Sequence, residues 1–493
     1  MSADPDDARF HPLREPIRLT SIPMATTNLA MPLDDPQMTA NAIAALVVSV
    51  PAQHVMQARP VPPDPAASQA NSAYATRPSL VPPEVVAIED VGLDPQFISD
   101  LILKIVYFRG VATGGEIAHA LRLPYSGVAE TLLEGLKAGR FVEVLGSNGP
   151  LSNSYRYILS DKGQAKVQEL LVRSTYAGAC PVTLDDYTYM VSKQRVRDAK
   201  VTRQVVEDRF RQMVLAPEVL EQLGPAINSG ESIFVFGAPG NGKTTIAEIA
   251  TTCLGGDVYI PYSIYVEGDI VRVFDDSIHQ PMEETELEVD GRWVRIKRPT
   301  VIAGGELTLS SLDLTYSPAS KVYEAPLQMK ANCGMFLIDD FGRQQCSPTA
   351  LLNRWIVPLE KHIDYLNLVT GIKIKVPFEE LIVFSTNLKP HDLVDDAFLR
   401  RLQYKIEVPP PTPEQFREIF WRVAMSRGLE WAEDGYAYLI DEHFEKTGRV
   451  PQACHARDLI NHMLSIARYF DVPAKMNPAF LDRAVRSYFV RLG

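Results

Sequence analysis

Residues Ser232–Leu254 read SIFVFGAPGNGKTTIAEIATTCL, and this stretch decides the fold. Ile233 to Phe236 form an unbroken apolar run, the pattern of a strand buried on both faces. Gly237, Ala238, Pro239, Gly240, Asn241, Gly242, Lys243 and Thr244 then fit GxxxxGK[ST]. Glycines at these positions let backbone N–H groups close around phosphate oxygens. Ile246, Ile249 and Ala250 follow at helical spacing, so a helix N-terminus faces the same anion. In this pattern Lys243 reaches the β- and γ-phosphates, and the Thr244 hydroxyl takes Mg²⁺. The nucleotide set is completed by Thr245.

Two more apolar runs end in polar groups. GMFLIDDFGR runs from Met335 to Ile338 and then presents Asp339 and Asp340. A buried parallel strand delivers such carboxylates to its C-terminal edge, where ligands bind in open α/β sheets. Asp339 is the second metal candidate, directly or through water. Asp340 is the group to orient or deprotonate an attacking water. LIVFSTN, Leu381 to Asn387, places Asn387 where it can bridge that water and the γ-phosphate. Further on, DDAFLRRLQYKIEV carries Arg400 and Arg401, and PQACHARDLINHMLSIARY carries Arg457 near the start of an apolar-faced helix.

These elements, in this order, resemble the AAA+ ATPases, and the arginine box is most similar to that of MoxR-type members. The likeness spans about residues 205–493. It implies an α/β phosphate-loop sheet at 205–410 and a helical lid at 411–493. It also implies ATP with Mg²⁺, an ATPase activity, and a remodelling or chaperone-like role in a ring, usually hexameric. By the same match Asn387 is the first sensor and Arg457 the second. Arg401 is the better candidate for an arginine finger, with Arg400 beside it. The sequence departs from the pattern at Asp340, where Glu is usual, so the carboxylate sits one methylene closer to the backbone.

The segment between the loop and the acidic strand is long. VYIPYSIYVEGDIVRVF and ELEVDGRWVRIKRP alternate apolar and polar residues, and Asp290–Gly291 is a hairpin-turn dipeptide. A β-rich insertion is expected at about 258–305, with His279 at its surface. After the acidic strand, Trp355, Leu359, Ile363 and Leu366 predict one helix, with Arg354, Glu360 and Lys361 solvated. The lid opens with Thr412 as N-cap, Pro413 first in the helix and Gln415 closing the box. Three further helices are expected near 434–446, 455–470 and 478–491.

Upstream, Phe97, Leu101, Ile102 and Ile105 repeat at helical spacing. A short helix ends at Pro124. A third helix carries Val128, Leu132, Leu133 and Leu136, FVEVLG and YRYILS make a hairpin, and DKGQAKVQELLVRS closes the unit. Residues 91–175 therefore resemble a winged-helix domain. Such domains bind DNA through the third helix, but Glu130 and Glu134 lie there against Lys137 and Arg140, and carboxylates oppose phosphates. A protein-binding winged helix and an ATP-gated DNA-binding regulator both stay open. Residues 176–204 read as a connector whose lysines and arginines form a solvated face, with a phosphate-contacting stripe as the alternative.

Residues 1–90 hold 14 of the 37 prolines, no lysine, and only Phe10 and Tyr74 as aromatics. Such a segment cannot bury enough apolar surface to offset its ordering entropy, so it reads as a disordered tail.

The whole chain has 493 residues, enough for two to four domains at roughly 100–200 residues each. Its net charge of −12 argues against a generally basic nucleic-acid binder. The five cysteines are widely spaced and form no CxxC, which disfavours a disulfide framework and fits a reducing cytoplasm. The apolar run Ala40–Val50 is too short to span a bilayer. The partner set expected is therefore a second copy of the chain and a protein client, with no membrane span.

Overall fold

A computed structural model describes residues 81–284, 288–393 and 399–489. The proline-rich stretch up to residue 80, including the Ala40–Val50 run, lies outside the described residues. At the centre is a five-stranded parallel sheet. Its strands are β1 (Ile233–Phe236), β2 (Thr300–Ala303), β3 (Met335–Ile338), β4 (Leu381–Thr386) and β5 (Tyr404–Glu407). They lie in the order β2-β3-β4-β1-β5.

Helices cover both faces, which is why the middle strands are apolar throughout. On one face Val206, Phe210, Leu223, Ile227 and Ile246 pack against Ile233, Val235, Leu337 and Val383. On the other, Phe234, Phe336 and Phe384 pack against Trp355 and Phe341. The register pairs Phe236 with Thr386 and Ile338 with Phe384. Gly237, Asp339 and Asn387 therefore leave the sheet at one edge, where the strand order reverses beside β1. The class is α/β, a phosphate-loop sheet followed by C-terminal helices.

The lid has its own core, built on Phe416, Phe420, Leu439, Leu459, Met463 and Leu481. Its first helix, Pro413–Ser426, starts with the expected reciprocal cap: Gln415 N–H donates to Thr412 Oγ1, and Thr412 N–H donates to Gln415 Oε1. Glu433–Leu439, Ala453–Tyr469 and Pro478–Tyr488 follow.

The β-rich region differs from the expectation in extent. Thr300–Ala303, read as part of an insertion, is the edge strand β2 of the parallel sheet. A second five-stranded sheet joins Thr315–Ser317, Val322–Glu324, Asp269–Arg272, Ser263–Val266 and Val182–Thr183. It thus draws on residues beyond 305 and on the stretch read as a connector. Tyr187, Met190 and Val191 of helix Leu184–Lys193 are buried in its core, because the apolar face of that helix covers the sheet.

Four local expectations are corrected. Asp290–Gly291 is not the two-residue turn of a tight hairpin: Val289 bridges Pro83, the Trp293 N–H closes a turn onto the Asp290 carbonyl at 3.1 Å, and Gln280–Met282 runs antiparallel to Arg295–Lys297 across the longer loop. Asp290 is instead buried in an ion pair with Arg292, whose Nη1 also donates to the Val91 and Pro181 carbonyls. His279 is buried rather than surface-exposed: Asp275 N–H donates to its Nδ1, and its Nε2 meets the Lys330 carbonyl at 2.9 Å. The helix through Trp355 stops at Lys361, and His362 caps it in a left-handed conformation. Ile363 and Leu366 then lie in a strand, Ile363–Asn367, that pairs with Lys373–Pro377. Arg354 is not solvated but holds the buried Asp364 at 2.6 and 3.0 Å.

Upstream, helices Pro95–Arg109, Gly114–Leu121 and Glu130–Ala138 precede the antiparallel pair Val142–Ser147 and Tyr155–Leu159, and helix Asp161–Arg173 closes the unit. Ala112–Thr113 adds a third short strand. The expected tail boundary at residue 90 moves back, because Val85 is buried in this core. Basic residues of the former connector are paired on this chain, Arg197 with Glu379 and Arg203 with Glu207. Among the described residues, no helix is long and apolar enough to cross a membrane.

Candidate active site

The phosphate loop leaves β1 at Gly237 and enters helix Lys243–Leu254 through Gly242. Gly240 and Gly242 have φ of 80° and 82°, a region costly for a residue with a Cβ. Lys243 is nearly buried, and its Nζ donates to the Gly237 and Ala238 carbonyls at 3.1 and 3.0 Å and to Asn387 Oδ1 at 2.6 Å. Burial pulls the ammonium pKa down, while the charges of Asp339 and Asp340 pull it up. The net direction is downward, so desolvation outweighs the two carboxylates.

Thr244 Oγ1 donates to Asp339 Oδ2 at 2.8 Å. A hydroxyl and a carboxylate oxygen at this separation are hard donors of the kind Mg²⁺ takes. Asp340 follows with φ 49°, a left-handed conformation. Its Oδ1 accepts from Asn387 Nδ2 at 3.1 Å. Lys243, Thr244, Asp339, Asp340 and Asn387, which come from three strand ends, thus form one hydrogen-bonded set.

The three arginines lie outside that set. Arg401 Nε donates to Glu360 Oε1 at 2.6 Å. Arg400 is exposed. Arg457 is exposed and bonds the neighbouring Asp458 at 2.9 Å. What the lid brings to the loop is the start of helix Ala453–Tyr469. Cys454 N–H donates to the Gly240 carbonyl at 2.8 Å, and Ala453 N–H donates to Asn241 Oδ1 at 3.4 Å.

Sequence reasoning missed a narrow slot beside the loop. Leu215, Val219, Asn241, Val408, Pro409 and Ile419 line it. Its wall is mostly apolar, and among the described residues Asn241 Nδ2 is buried beside it without a hydrogen-bond partner. The signal was dispersed: these residues come from four segments and no motif joins them. A larger cavity, about 590 Å³, lies away from the loop, between helix Leu184–Lys193 and the strand Lys373–Pro377. No group of three or more metal-binding side chains occurs among the described residues.

A family model described as "Domain of unknown function (DUF8689)" matches residues 412–487, the lid helices. No curated protein matches the chain. Among solved structures, NtrX from Brucella abortus in complex with ADP is similar at 14% identity, over 56% of each chain, with a TM-score of 0.36. A second Brucella abortus NtrX structure matches at 13% identity over 67% of this chain and 62% of its own, with a TM-score of 0.35. The Thermotoga maritima RuvB Holliday junction branch migration motor matches at 15% identity over 55% of this chain and 70% of its own, with a TM-score of 0.32. The chain therefore spans 56% and 62% of the length of the two NtrX chains. Likenesses this distant carry no argument about function.

Proposed function

We propose that the chain is an AAA+ ATPase that hydrolyses ATP and couples hydrolysis to remodelling of a bound protein. One observation carries the reading: the hydrogen-bonded set that ties Lys243 to Asn387, Thr244 to Asp339 and Asn387 to Asp340 at one sheet edge. A turn rich in glycine needs none of these partners.

In this reading the loop N–H groups and Lys243 bind the β- and γ-phosphates. Thr244 and Asp339 would hold Mg²⁺, which when bound offsets phosphate charge and fixes the phosphate chain. Asp340 orients the attacking water and accepts its proton, with Asn387 holding the carboxylate in place. Ring assembly, a finger role for Arg401 or Arg400 and a sensing role for Arg457 belong to the same proposal. So do a hexamer and a cytoplasmic location, the latter supported by five free cysteines.

The N-terminal unit is read as a winged helix that binds protein. Exposed Tyr107, Phe108 and Val111 beside it suit a protein partner, and Glu134 is exposed on its third helix. The test is phosphate release from ATP with Mg²⁺ and its loss on chelation. An Asp340→Asn trap with ATP would then identify what co-purifies.

A further inference from the structure

The turn that carries Asp340 is held by a side chain with no place in the set above. Gln344 Oε1 accepts the Gly342 N–H at 2.8 Å, and its Nε2 donates to the Asp339 carbonyl at 2.8 Å and the Asp340 carbonyl at 3.2 Å. One amide thus satisfies three backbone groups of the turn. Only a primary amide of this length offers an acceptor and two donors in one plane.

We propose that Gln344 is a positioning residue for hydrolysis: it holds Asp340 in its left-handed conformation and so aims the carboxylate at Asn387. This rests on the ATPase reading. For a residue with a Cβ that conformation is disfavoured, and it persists only where the surroundings fix it. Among the described residues, the carboxylate end is held by a hydrogen bond from Asn387 at 3.1 Å. The backbone end is held by Gln344, by the Arg343 N–H bond to the Asp340 carbonyl at 3.0 Å and by the Asp340 N–H bond to Asp339 Oδ1 at 3.0 Å. The rest of the turn has separate anchors. Phe341 is buried against Phe234 and Phe384, its N–H donates to the Ser385 carbonyl, and Thr386 Oγ1 donates to its carbonyl at 2.7 Å. Loss of Gln344 therefore removes the one side chain that bonds both the Asp339 and the Asp340 carbonyls, and loosens the backbone about Asp340 while the turn stays docked.

The test is a double-mutant cycle on the full chain, reading kcat, KM and ATP affinity. Gln344→Ala should lower kcat about 100-fold, the scale of a misplacement near 1 Å, with KM and ATP affinity little changed. Gln344→Glu should also lose activity, because an ionised carboxylate cannot donate to the two carbonyls. In an Asp340→Asn background Gln344→Ala should cost nothing further, since it acts through Asp340. A Gln344→Ala enzyme within twofold of wild type, or losses that multiply in the double variant, overturns the proposal. If instead the wild type releases no phosphate, the ATPase reading falls and this proposal falls with it.

Discussion

Cys454 sits on Gly240: its N–H donates to the Gly240 carbonyl, and a Cβ added at Gly240 would stand 2.3 Å from its Sγ. The lid therefore rests directly on the phosphate loop. Gly240→Ala must push the lid helix away and also hold φ near 80° with a Cβ. Strain of this kind costs on the order of 1–3 kcal/mol, so ATP affinity should fall about tenfold or more. Isothermal titration reads it, and unchanged affinity would mean that the lid moves aside without cost.

Arg401 and Glu360 are paired at 2.6 Å on one chain, with both side chains partly exposed. Exposed pairs of this kind are worth about 1 kcal/mol or less, so a neighbour's phosphate can compete for the arginine. If Arg401 acts in trans, Arg401→Ala should bind ATP normally and hydrolyse it poorly. Mixing it with Asp340→Asn should restore part of the rate, because some interfaces then keep both groups. Mixed rings that stay inactive would confine Arg401 to its pair with Glu360.

Much of the fold could be read from residues because the three central strands are short apolar runs closed by Gly237, Asp339 and Asn387. The edge strand Thr300–Ala303 could not, since three apolar residues amid alternating ones look the same in either sheet. The strand at Ile363–Asn367 was hidden by Ile363 and Leu366, which continue the spacing of Trp355 and Leu359; the helix ends on His362, with no glycine or proline to mark it. Buried His279 and Asp290 were misread for a common reason. Their partners, the Lys330 carbonyl and Arg292 anchored on Val91 and Pro181, come together only in the folded chain. In the site, the residues on strand ends were legible. Gln344 was not, because its role depends on hydrogen bonds made only in the folded turn.

Glu380 gives a pH prediction. It is buried, and that burial raises its pKa well above the usual range. Asp364 and Glu379 nearby raise it further, although each is itself paired, with Arg354 and Arg197. A raised folded pKa means that the folded chain holds a proton that the unfolded chain releases near pH 4.3. Stability from this group is full below that pH and is lost as pH rises towards the folded pKa. Glu380→Gln should therefore melt higher than wild type at pH 8, with the gap narrowing towards pH 5. A gap independent of pH would contradict this.

Truncation separates the tail from the body. Deleting residues 1–80 should leave the ATPase rate within about twofold, because that stretch carries no catalytic group by the site criteria used above. Deleting residues 1–93 also removes Val85, Val91 and Leu93 from a core. At about 1.5–3 kcal/mol for each buried side chain, the shorter chain should melt many degrees lower. Equal melting temperatures for the two truncations would show that these contacts are dispensable.

The central claim is that ATP is bound and hydrolysed at the site built on Lys243 and Asp340. The most direct measurement pairs ATP titration with steady-state phosphate release for wild type, Lys243→Ala and Asp340→Asn. The account predicts a hydrolysing wild type, a Lys243→Ala variant that no longer binds ATP, and an Asp340→Asn variant that binds it but turns over about 100-fold or more slower. Unchanged ATP affinity in Lys243→Ala, or undiminished phosphate release in Asp340→Asn, would contradict it.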